Sequence, residues 1–221
     1  MRIGKINLKF LGNSGFLIEN DKKIYIDPYN ISENLPKADI ILASHGHYDH
    51  CSLADIEKIV KKGTIIVVSA DCQSKITRIE DVNMQIIELG DELNFEGIRI
   101  QAVPAYNPKK QFHPKSEGWM GYIIKFENII IYHAGDTDKI PEMEKLTGYG
   151  KQGNEFIALL PVGGNYTMDA SEAAEAASLI KPTLAIPMHY GAVAGSEKDA
   201  DNFVKLCFEF GIKAIKLEKE I

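Results

Sequence analysis

Residues 40–50 read Ile-Ile-Leu-Ala-Ser-His-Gly-His-Tyr-Asp-His. A short apolar run ends in three histidines and an aspartate, which ties one strand end to one kind of chemistry. The run Ile40–Ser44 is too short for a helix and reads as a buried strand. In extended backbone, residues i and i+2 project to the same face. His45 and His47 can therefore hold one cation together. Asp49 and His50 follow at the turn into the next helix and can point to a second. Imidazole combined with carboxylate suits zinc, manganese or iron. The chain has six histidines, and three of them fall in this window. A solvated polar loop explains such clustering less well than coordination does.

The remaining pattern surrounds this window with sheets. Short β-rich runs come first, at Ile6–Leu11, Gly15–Glu19 and Lys23–Asp27. Further strands are expected at Thr64–Ser69, Gln85–Leu89, Ile98–Val103, Met120–Phe126, Ile129–His133, Phe156–Pro161, Leu184–Met188 and Ala214–Leu217. Ser52 can cap a helix carrying Leu53, Ile56, Ile59 and Val60, ended by Gly63. A weaker helix is expected from Asp71 to about Arg78. Asp169 with Glu172 opens an Ala-rich helix through Ile180. Ser196 with Asp199 opens another, with Phe203, Val204, Leu206, Cys207 and Phe210 buried. Strands first, then strand–helix alternation, predict one domain over residues 1–221, built of two sheets with helices outside.

Composition narrows the function. The net charge is -6, so no basic field attracts nucleic acid or anionic lipid. Lys61-Lys62 and Lys109-Lys110 are short clusters that read as solvated faces. Cys51, Cys72 and Cys207 are too scattered for a disulfide framework. Residues Met1–Lys5 lack the apolar run of a signal peptide, and no stretch approaches the roughly 18 apolar residues of a membrane span. The expectation is a cytoplasmic protein with no membrane partner. Nucleic acid is the disfavoured partner and a small molecule the favoured one; homo-oligomerisation is left open.

Two further strand ends offer ligands. Ile129–His133 runs into Ala134-Gly135-Asp136-Thr137, and Leu184–Met188 runs into His189-Tyr190-Gly191. Sites gather where strands end and loops converge. Asp136 can bridge two metals, and His189 can complete the second. His133 reads as a packing or supporting residue. Val162–Thr167 reads as a tight loop near the metals rather than a phosphate cradle.

The ordered set Asp27, His45-Gly46-His47-Tyr48-Asp49-His50, Gly135-Asp136-Thr137 and His189 resembles the metallo-β-lactamase superfamily. The branch of small bacterial and archaeal metal-dependent hydrolases, similar to ascorbate-6-phosphate lactonase-like proteins, is the nearest match. The resemblance implies an α/β fold, the αββα four-layer sandwich, with metals at one edge. It implies metal ligands at His45, His47, Asp49, His50, Asp136 and His189, and makes Asp27 a carboxylate that orients a ligand histidine. The cofactor implied is zinc, one or two ions, with manganese or iron as alternatives.

The chain departs from the superfamily pattern at one position. A third histidine for the first metal should follow the strand Ile98–Val103, but the chain reads Pro104-Ala105-Tyr106-Asn107-Pro108 there. Three outcomes stay open. His113, in the irregular stretch Pro104–Gly118, folds back as the missing ligand; water or Asn107 fills the position; or only the second metal binds tightly. A loop of this length inside a domain is more often functional than filler.

The expected reaction is hydrolysis of a small ester-type substrate, a lactone or a phosphodiester, by metal-activated water. Asp49 would ligate and orient the nucleophile. Tyr190, Lys115 or His113 would bind substrate or protonate the leaving group. Two rival readings are a nucleic-acid-processing nuclease and a metal-binding protein without turnover, the latter motivated by the absent third histidine.

Overall fold

Strands β1 (Arg2–Ile3), β2 (Ile6–Gly12), β3 (Gly15–Glu19), β4 (Lys23–Ile26), β5 (Ile40–Ala43), β6 (Ile65–Val68) and β7 (Asn83–Ile86) form one sheet in chain order. The computed structural model describes residues 1–151 and 153–220. Pairings from β1 to β4 are antiparallel, and those from β4 to β7 are parallel. The parallel connections carry helices α1 (Leu53–Ile59) and α2 (Gln73–Ile76), the second preceded by a 3₁₀ turn at Ala70–Cys72. A buried cluster including Leu11, Leu17, Tyr25, Ile41, Ile56, Ile59, Ile66 and Val68 joins α1 to the sheet. This sheet belongs to a compact unit of residues 1–88 with the C-terminal segment from Leu217.

The second unit, Leu89–Lys216, holds β8 (Glu92–Phe95), β9 (Ile98–Pro104), β10 (Met120–Phe126), β11 (Ile129–His133), β12 (Glu155–Pro161) and β13 (Leu184–Met188). Its sheet order is β13-β12-β11-β10-β9-β8. Here too the early strands pair antiparallel and the late ones parallel. Helix α3 (Ala170–Ile180) buries Ala170, Ala173, Ala174, Ala176 and Ala177, small side chains that let its backbone sit close. Helix α4 (Glu197–Glu209) starts at the Ser196–Asp199 capping box, with both reciprocal bonds formed.

Several local expectations shift. Residues 214–217 form no strand: a single bridge joins Ala214 to Ala185. Ala185 donates to Lys213 O and accepts from Ile215 N–H, but the next donor on that edge is Pro187, which has no N–H. The strand expected at Gln85–Leu89 lies two to three residues earlier, because its partner β6 stops at Val68, opposite Ile86. Phe210 is half exposed rather than buried. Ser52 occupies the N-cap of α1, yet its hydroxyl bonds Asp55 instead of the helix backbone. The irregular stretch starts later than expected, because β9 runs through Pro104.

Candidate functional site

In the first unit the site loops leave the C-terminal ends of β4 and β5. Asp27 follows β4 with φ +43°. Its Oδ1 accepts the Ser44 N–H at 2.7 Å, and its Oδ2 accepts the Ser44 hydroxyl at 2.6 Å. The same Oδ2 stands 2.7 Å from His50 Nδ1. A carboxylate only accepts, so His50 carries its proton on Nδ1 and offers the Nε2 lone pair. Ser44 relays the effect to His45. Its hydroxyl proton goes to Asp27, so its oxygen accepts from His45 Nδ1 at 3.0 Å. The His45 Nε2 lone pair is then presented 3.0 Å from His47 Nδ1. Asp49 Oδ2 lies 3.3 Å from His50 Nε2 and accepts from Asn13 Nδ2 at 3.0 Å. Asp27, His45, Asp49 and His50 are all buried.

The peptide between the first two histidines is gripped from both sides. Gly46 N–H donates to Asp71 Oδ2 at 2.7 Å, and Lys75 Nζ donates to Gly46 O at 2.6 Å. A Cβ at position 46 would meet Asp71 Oδ2 at 2.6 Å, so any larger residue would push that carboxylate off the Gly46 N–H.

In the second unit, Asp136 follows β11 and His189 follows β13. His189 Nε2 lies 3.2 Å from Asp136 Oδ2, and His113 Nε2 lies 3.3 Å from the same oxygen. His113 thus folds back to Asp136. The turn that returns it is closed by Asn107: its N–H donates to His113 O at 2.8 Å. Asn107 Nδ2 donates to Phe112 O and Tyr166 O at 2.9 and 2.6 Å. His113 Nδ1 stands 3.0 Å from Tyr166 O, an acceptor, which places its proton there and leaves the lone pair on Nε2. His113 and His189 both have φ +57°, a costly backbone for a residue with a Cβ.

Supporting residues hold the Asp136 turn. Gly135 N–H donates to His133 Nδ1 at 3.3 Å, in keeping with the supporting role expected for His133. Thr137 Oγ1 accepts the Tyr106 N–H and donates to Tyr106 O. A Cβ on Gly163 would lie 2.5 Å from His189 O and 2.9 Å from His189 Nδ1, so this glycine serves close packing against the imidazole.

The other expected residues divide. Tyr190 is buried, and burial together with Glu197 and Asp201 pushes its phenol pKa up. Lys115 is engaged by Glu142 Oε1 at 2.8 Å and sits over the Tyr106 ring. Lys110 is not the solvated charge expected: its ammonium binds Asp138 Oδ1 and Thr167 O, each at 2.5 Å. Sequence reasoning missed Asn13, Ser44 and Tyr166, and named Asn107 as a group filling the absent histidine's position rather than as the residue that closes the turn. Only Ser44, next to the histidine window, carried a local signal.

The spacing tests whether a metal fits. Two ligands on a tetrahedral ion, each at ~2.0–2.1 Å, stand about 3.3–3.4 Å apart. Within each unit the donor pairs described above stand 3.0 to 3.3 Å apart. Three of the imidazoles have an Nδ1 acceptor that turns the other nitrogen's lone pair toward its neighbours. This donor chemistry suits a divalent cation.

Comparison with known proteins agrees. A family model for the beta-lactamase superfamily domain matches residues 7–189. A UPF0173 metal-dependent hydrolase of Thermoplasma acidophilum is 36% identical, over 97% of this chain and 98% of its own. A solved structure from Parabacteroides distasonis is 30% identical with a TM-score of 0.83, covering 97% of this chain and 94% of that one. Igni18, a metallo hydrolase from the archaeon Ignicoccus hospitalis, is 25% identical with a TM-score of 0.78, covering 98% and 96%. The chain belongs to the metallo-β-lactamase superfamily, with its α/β fold, and within it to the UPF0173 metal-dependent hydrolases.

Proposed function

We propose that the protein hydrolyses a small uncharged ester, a lactone above all, with residues 1–221 acting as one zinc-dependent domain. The proposed ligands are His45, His47, Asp49, His50, His113, Asp136 and His189. Following the superfamily order, His45 and His47 serve the first ion and Asp49, His50 and His189 the second, with Asp136 shared. His113 takes the place of the absent third histidine. The observation that carries this reading is that Nδ1 of His45, His50 and His113 stands 3.0, 2.7 and 3.0 Å from Ser44 Oγ, Asp27 Oδ2 and the Tyr166 carbonyl, which puts the lone pair of each ring on Nε2.

When bound, zinc in such a donor set supplies an acidified water and a Lewis acid for the substrate carbonyl. The chain's own residues do the rest. Asn13 fixes the Asp49 carboxylate, which can then orient the attacking water. The Tyr190 phenol, next to His189 in the chain and protonated near neutral pH, is the proposed donor to the leaving alkoxide.

Charge favours a neutral substrate over a phosphodiester. The two lysines flanking His113 that could have met a phosphate are already engaged, Lys110 by Asp138 and Lys115 by Glu142. The same engagement, with the net charge of -6, disfavours nucleic acid. A cytoplasmic setting accords with the buried, unbridged thiols of Cys51, Cys72 and Cys207.

The test is a substrate panel run on zinc-, manganese- and iron-loaded protein. Lactone hydrolysis that exceeds phosphodiester hydrolysis and resists added salt is the expected result. Faster turnover of bis(p-nitrophenyl) phosphate than of any lactone would overturn the substrate assignment.

A further inference from the structure

The segment between Asn107 and His113 is exposed at Pro108, Lys109, Gln111 and Phe112, yet it ends in a buried imidazole. Exposed chain with few apolar contacts is the part of a protein most ready to open. What ties it down is therefore what keeps His113 in place. Its two ends are held by neutral bonds, from Asn107 Nδ2 and His113 Nδ1, both to Tyr166 O. Its middle is held by Lys110, whose ammonium binds Asp138 Oδ1 and Thr167 O.

Both anchors of that ammonium are themselves fixed. Asp138 is buried, its N–H donates to Tyr106 O at 3.1 Å, and it lies two residues beyond Asp136. Thr167 adjoins Tyr166, the residue that receives the His113 proton, and Met168 N–H donates to Thr137 O at 3.0 Å. Lys110 thus joins three segments at one point: the His113 turn, the Asp136 turn and the loop before α3. We propose that Lys110, through Asp138, is a positioning residue for His113, a latch that sets the affinity of the first metal position. This inference rests on the reading of His113 as a ligand.

Electrostatics gives the test a sign. Removing a cation near a cation site should tighten metal binding if charge alone operates. A latch predicts the opposite, weaker binding, and at one ion only. The full-length protein, Lys110→Met, Lys110→Arg and His113→Ala are stripped and titrated with Zn²⁺ against a chromophoric chelator. The metal-free proteins are also treated with trypsin, following cleavage after Lys109.

The expected result for Lys110→Met is a loss of about tenfold or more in affinity for one ion, with the other unchanged. Faster cleavage after Lys109 should accompany it, and Lys110→Arg should restore both. His113→Ala should lose one ion outright. Tighter binding, unchanged binding or equal weakening of both ions in Lys110→Met, beside a His113→Ala variant that loses one ion, would overturn the latch and leave the ligand reading intact. Retention of both ions at full affinity in His113→Ala would overturn the ligand reading, and the latch with it.

Discussion

His50 donates its Nδ1 proton to Asp27 Oδ2 across 2.7 Å, with both side chains fully buried. Asp27 stands in a left-handed backbone, at φ +43°, which asparagine also tolerates. Asp27→Asn should therefore fold, yet lose the charge that fixes the His50 ring. Metal affinity should fall about 10–100-fold. Chelator competition measures this, and an unchanged affinity would show that Asp27 does not orient the ligand.

Gly163→Ala adds a methyl group where His189 O and Nδ1 leave no room. Either the loop before α3 or the imidazole must move. Overpacking of this kind costs about 1–3 kcal/mol. The midpoint of urea unfolding should drop, and the kcat of the metal-loaded enzyme should fall with it. A variant with wild-type stability and kcat would count against the close approach.

Asp55 supplies a pH-dependent share of stability. Burial alone would raise its pKa, but hydrogen bonds from Ser52, Lys58 and the N–H groups of Asn30 and Ile31 bring it below the usual carboxylate value. A depressed native pKa adds stability above the unfolded value of ~3.9, and this is lost as pH falls through the native one. Asp55→Asn should cost about 1–3 kcal/mol at pH 7. That gap should narrow below roughly pH 4, as read by denaturant melts at both pH values.

Tyr190→Phe separates proton donation from packing, since the ring is kept. If the phenol protonates the leaving group, esters of poor leaving groups should slow by about 10²–10⁴-fold. Esters of p-nitrophenol, whose leaving group needs no proton, should hardly change. Equal slowing of both would assign Tyr190 a structural role.

The strands that lead into the candidate site were legible because they are short, apolar and β-branched: Ile40–Ala43, Ile129–His133 and Leu184–Met188 appear within a residue of their expected bounds. The polar edge strand of the second sheet was not. Glu92–Phe95 alternates polar with apolar beside solvent and lacks the buried run that marks a strand in one dimension. The histidine window announced itself because its members are neighbours in the chain. Asn13 and Tyr166 did not: Asn13 is a turn residue 36 positions from the Asp49 it holds, and Tyr166 acts through its carbonyl, which every residue has. Lys110 was misread for a related reason. A lysine beside another lysine looks solvated until its remote partner, Asp138, is known.

The turn from Asn107 to His113 has a consequence for how relatives of this chain are recognised. A search for the third imidazole directly after β9 meets Asn107 instead. The imidazole reaches Asp136 from six positions downstream, by way of a turn that the asparagine itself closes. On the proposed ligand set, chains with asparagine at that position and a histidine one short turn later belong with the members that carry a full set of ligands.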